Sequence, residues 1–134
     1  MTVKRDIGAI VYRKGKFLLV NRGHWDFIKA ERNPYENDQN TIRKALEEIG
    51  INDAFFVRGF KETLNYYYRS DGWTVFKEVL FYVIETNIQK IKLNKKITDA
   101  EWLDYHRAFS KLQHLAARDV LRKAHFHMEK VKKT

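Results

Sequence analysis

The chain has 134 residues, 44% hydrophobic and 14% aromatic, which suits one domain with a buried core and excludes a disordered chain. It has no cysteine, which rules out disulfides and cysteine-ligated zinc and fits a reducing compartment. No apolar run approaches the roughly 20 residues of a membrane helix, and a formal net charge of +9 suits either an anionic partner or a well-solvated surface.

In chain order, RDIGAIVY (5–12) and KFLLV (16–20) read as strands joined by a turn at Arg13-Lys14-Gly15, a hairpin. The stretch ahead of them has no apolar signal core, and the expectation is a soluble cytoplasmic protein. Residues 22–37, with the only proline, show no sustained period and read as a loop of the length often given to function. Asp38 offers an N-cap. Ile42, Ala45, Leu46 and Ile49 then form a helical apolar stripe, and Gly50 fits the left-handed position that ends it. Residues 54–69 and 73–86 read as long strands around Ser70-Asp71-Gly72, a hairpin signal. Further short strands are expected at 88–93 and 101–104. A helix is expected over about 111–130, with Leu112, Ala116, Val120, Ala124 and Met128 on one face and Lys111, Arg118 and Arg122 away from it. Strands, a central helix, more strands and a closing helix predict a single α/β or α+β domain over 1–134, with a mixed sheet packed between helices.

The stretch RKALEEIGI (43–51), the upstream WDFIKA (25–30), the aromatic hairpin LNYYYRSDGWTVFKEVLFYVIE and the later ITDAEWLDYHRAF occur in an order that resembles a Nudix domain over nearly the whole chain. The family box is G-x5-E-x7-R-E-U-x-E-E-x-G-U, with U a bulky aliphatic residue. Arg43, Glu47, Glu48, Gly50 and Ile51 match its second half, and WDFIKA is similar to the WDFPKG that opens the box in diadenosine tetraphosphate hydrolases. The resemblance implies a Nudix-type α/β/α sandwich and water attack on a diphosphate linkage, assisted by Mg2+ or Mn2+. It implies Glu48 and Glu47 as metal ligands and catalytic residues, with Arg43 ordering the box by pairing with acids. It also implies Lys29 and Lys77 as phosphate contacts, and a nucleotide or dinucleotide polyphosphate as substrate. Hard divalent cations want carboxylate oxygens, and residues four apart share one helix face, which accounts for the spacing of the box.

The match departs from the family in specific places. Lys44 replaces the glutamate after the arginine, Ala30 the glycine, and Ile28 the proline, and one residue is missing between Glu36 and Arg43. The stretch at 94–99 has only Asp99 as an acid. The i,i+4 spacing predicts two ion pairs, Lys44–Glu48 and Arg43–Glu47. An ammonium one turn from Glu48 also repels an incoming cation. Two readings follow: a weak pyrophosphohydrolase, in which Glu36 or Glu31 joins a rearranged site, or a binding module for a nucleotide or RNA without turnover.

Tyr68 and Phe81, with Tyr66 and Trp73, can stack a base or pack the sheet, and strand alternation lets only about half of such a set face a cleft. His125 and His127, two apart on a helix, point away from each other, unlike helical zinc pairs at spacing four. His24 and His106 adjoin expected cleft loops, and Trp102 reads as a core anchor. The basic excess lies at the two ends, residues 1–23 and 105–134. The C-terminal basic face therefore extends the candidate partners to RNA or is a solvated helix face.

Overall fold

The computed structural model describes residues 1–133. Eight strands form one mixed sheet. β1 (Thr2–Arg13) and β2 (Lys16–Asn21) make the expected hairpin, with Tyr12 opposite Phe17. Lys14 (φ 46°) and Gly15 (φ 84°) supply the paired positive torsions of a tight two-residue turn. β1 also runs parallel to β7 (Trp73–Glu85), in register from Thr2 opposite Val75 to Tyr12 opposite Glu85. Helix α1 (Asp38–Glu47) lies on one face, and α2 (Tyr105–Lys111) and α3 (Leu115–Lys133) on the other.

Strand alternation divides the core. Ile7, Ala9 and Val11 join Leu18, Val20, Ile42 and Leu46 under α1, whereas Ile10, Phe17 and Leu19 join Leu121, Ala124 and Met128 under α3. The sandwich expected from the sequence is the observed architecture.

Several local expectations change. The stretch 22–37 is not all loop: it holds β3 (Trp25–Asp26) and β4 (Ile28–Glu31), and β4 pairs antiparallel with β1. The N-cap is Asn37, whose side chain accepts the Asn40 N–H at 2.8 Å, and Asp38 becomes the first helical residue. The expected strand over 54–69 splits into β5 (Phe55–Phe56) and β6 (Glu62–Ser70), interrupted where Gly59 turns at φ 83°. Residues 88–93 form no strand, and the strand near 101–104 is β8 (Asp99–Leu103).

The helix expected over about 111–130 starts later, at Leu115, and a separate, unexpected α2 over Tyr105–Lys111 precedes it. Leu112 is buried in the gap, and Arg118 reaches back to its carbonyl at 2.7 Å. The buried face of α3 therefore uses Ala117, Val120, Leu121, Ala124 and Met128, with Ala117 in place of Ala116. Among the described residues no helix is long and apolar enough to cross a membrane.

Candidate functional site

The site is built where β3, β4 and the start of α1 meet. Asp26 is the hub: its carboxylate is almost wholly buried and cannot stay charged there without donors. Lys29 Nζ lies 2.9 Å away, Arg22 3.3 Å and His24 Nε2 3.4 Å, and the Phe27 N–H donates at 2.8 Å. Burial pushes the Asp26 carboxyl up, but Lys29, the Phe27 amide and Arg22 outweigh it and hold the pKa below the ordinary carboxylate value. The Nε of Arg22 is buried and has no hydrogen-bond partner among the described residues.

The second centre is the turn into α1. Asn33 closes a turn by accepting the Tyr35 N–H at 2.9 Å, and Arg32 holds Asp38 through two contacts at 3.0 and 3.3 Å. This brings Glu36 back over the first turns of the helix. Lys44 Nζ meets Glu36 Oε2 at 2.5 Å, and the Thr41 hydroxyl donates to Glu36 Oε1 at 2.8 Å. The Lys44 hydrogen bond, then that of Thr41, holds the Glu36 pKa below its usual range.

These two centres face one cleft of about 450 Å3, whose walls include Arg22, Lys29, Glu36, Lys44, Glu48 and Lys96. A second cleft of about 420 Å3 adjoins it. Leu64, Tyr66 and the corner His114–Ala117 line it, and it shares Lys29.

The expected site residues are distributed unevenly over this geometry. Glu48 lines the charged cleft, and its carboxylate has no partner among the described residues. The expected Lys44–Glu48 pair is absent, because Lys44 takes Glu36 instead. Glu47 is exposed and outside the cleft wall. Adjacent helical residues diverge by about 100°, which sends the two glutamates apart. Among the described residues Arg43 pairs with no acid: it donates to the Ala54 carbonyl at 2.8 Å and covers the Phe56 ring at 5.0 Å.

Lys29 lines both clefts and is tied to Asp26. Lys77 pairs with Asp6 at 2.8 Å and lines neither cleft. Burial presses its pKa down, but the Asp6 contact outweighs that and leaves it raised. Tyr68 is half-buried beside Tyr66, with ring centroids 6.1 Å apart. Phe81 is 1% exposed with its ring edge-on to Phe27, so it packs the core and presents no face to a base.

His125 stacks on Tyr105 at 4.1 Å and His127 bonds the Arg58 carbonyl at 2.7 Å, so the two serve packing. Trp102 packs on the α1-side core, and its indole N–H donates to Gln89 at 2.8 Å.

Sequence reasoning missed Arg22, Thr41 and Lys96 as cleft residues. No periodic signal marks them.

The donor set does not fit a divalent ion. Among the described residues no three acids or histidines converge to hold one. Both oxygens of Glu36 are already engaged, one of them by an ammonium. Hard cations need several free oxygens, and Glu48 alone does not supply them.

A mixed sheet between helices, with a turn and a helix meeting at a charged cleft, defines the class: an α/β/α sandwich. The NUDIX domain family matches residues 2–124, and the chain belongs to that family. Among solved structures it is similar to a C. elegans Ap4A hydrolase in a binary complex, at 22% identity and TM-score 0.79, covering 95% of this chain and 98% of that one. It is similar to the E. coli dihydroneopterin triphosphate pyrophosphohydrolase, at 13% identity and TM-score 0.74, covering 92% and 97%. It is also similar to the NUDIX domain of Shewanella oneidensis NrtR complexed with ADP ribose, at 14% identity and TM-score 0.68, covering 96% and 90%. No curated protein matches the chain.

Proposed function

We propose that the protein binds a nucleoside polyphosphate across the two adjoining clefts and hydrolyses its diphosphate linkage only slowly. The observation that carries this reading is the position of Lys29. Asp26 fixes it on the wall shared by a charged cleft and a more apolar one that contains Tyr66. The phosphate chain would lie against Lys29, Arg22 and Lys96, and the nucleoside against Tyr66 and Leu64, where stacking on a base contributes about 1–3 kcal/mol.

Glu48, unpartnered in the charged cleft, is the group able to accept a proton from water. The similarity to an Ap4A hydrolase supports a dinucleotide tetraphosphate among the substrates to try. A second reading, binding without turnover, is favoured by the Lys44–Glu36 pair, which occupies carboxylate oxygens in this cleft.

Calorimetric titration with diadenosine tetraphosphate and ATP tests binding. Lys29→Ala is expected to weaken it about tenfold, the loss of one charge-assisted contact. Slow product formation that disappears in Glu48→Gln supports hydrolysis. Tight binding with no product supports the second reading, and no binding of either nucleotide defeats both.

A further inference from the structure

We infer that Lys44 is the resident cation of the charged cleft, so that the site takes a polyphosphate as the free anion rather than as its magnesium complex. The inference deepens the proposed nucleotide reading, from which it takes the class of ligand.

The geometry carries it. The Lys44 ammonium has three N–H donors, and one is directed to Glu36 Oε2 at 2.5 Å. The side chain is 69% exposed while that of Glu36 is 17% exposed, so the ammonium stands proud of its partner, with donors left for a ligand. Thr41 holds the other Glu36 oxygen, which fixes the carboxylate and through it the ammonium. Arg22, Lys29 and Lys96 line the same cleft.

A polyphosphate oxygen entering here meets positive donors already in position. A divalent ion carried in with the phosphate would be placed against these positive groups, and of the cleft's acids Glu48 and the exposed Glu31 would offset the repulsion, since both oxygens of Glu36 are already engaged by Lys44 and Thr41. Lysine serves phosphate as a compact point charge, the electrostatic part a metal plays elsewhere. The same pair ties the turn before α1 to the helix itself.

The test has two arms. In the first, Mn2+ alone is titrated and free ion is followed by its paramagnetic resonance signal. Wild type is expected to take up none, and Lys44→Glu, which adds a carboxylate beside Glu36 and Glu48, is expected to take up one. Uptake by wild type that is lost in Glu48→Gln overturns the inference. Should Lys44→Glu fail to fold, the wild-type titration and its Glu48→Gln control still decide this arm.

In the second, ATP and inorganic tripolyphosphate are titrated in chelator and in excess Mg2+. Affinity equal or higher in chelator, and at least tenfold weaker in Lys44→Gln, supports the inference. Binding that requires Mg2+, or that Lys44→Gln leaves unchanged, overturns it. If neither ligand binds in either condition, the nucleotide reading fails and the claim about the ligand fails with it; the Mn2+ arm then still reports on whether Lys44 excludes a metal.

Discussion

Asp26 is the residue on which the candidate site depends. Its carboxylate balances Lys29 and Arg22 in a nearly dry setting, so removing its charge leaves cations unpaired. Breaking one side of a buried pair costs about 3 kcal/mol, and Asp26→Asn is expected to lose about that much in urea denaturation at neutral pH. The pH dependence follows from the depressed folded pKa. Below the ordinary carboxylate value of about 3.9, the unfolded chain binds a proton that the folded chain still refuses. The Asp26 contribution is therefore full above that value and lost as pH falls through the folded pKa. Asp26→Asn should flatten that acid limb; an unchanged limb would show that other carboxylates set it.

At the scale of elements, two glycines are required for different reasons. Gly50 ends α1 at φ 89°, where the Ile51 N–H reaches the Leu46 carbonyl at 2.9 Å, and a Cβ there would have room. Gly50→Ala should cost roughly 1–2 kcal/mol, the torsional penalty alone. Gly8, inside β1, has no unusual torsion, but a Cβ there would overlap the Phe81 ring on neighbouring β7. Gly8→Ala should cost about 1–3 kcal/mol by overpacking. Trimming Phe81 to Leu should recover part of that loss and nothing of the Gly50→Ala loss, as thermal melts of the four variants would show.

For the whole molecule, the sheet acts as a wall between two cores. Leu46 is fully buried under α1 and Leu121 is fully buried under α3, and they belong to separate packed clusters. Each Leu→Ala change should cost about 2–5 kcal/mol. With no shared partners, the double variant should be additive within about 0.5 kcal/mol, measured by denaturant unfolding in a single transition. A larger coupling would mean that the two faces communicate through the strands. The charge of +9 also acts at this scale: nucleotide affinity should fall with salt as the positive cleft is screened.

The sequence was most legible where periodicity was long. The stripe of α1, its glycine stop and the hairpin around Asp71-Gly72 all appear where expected, because each repeats a local rule over several residues. Strands of two and four residues, such as β3 and β4, carry no period. They exist only because β2 and β1 offer edges to pair with. The closing helix starts at Leu115 rather than near 111, and Leu112, the first residue of the expected stripe, is buried in the turn between α2 and α3 instead.

The sequence by itself determined the family order, the sandwich and the presence of a lysine among the box acids. Which carboxylate that lysine took was decided only by the tertiary structure. Spacing along a helix offers Glu48, one turn on, but helical side chains lean toward the N-terminus. The fold turns the chain back at residues 33–37 and places Glu36 there, eight residues earlier, within reach of the Lys44 ammonium.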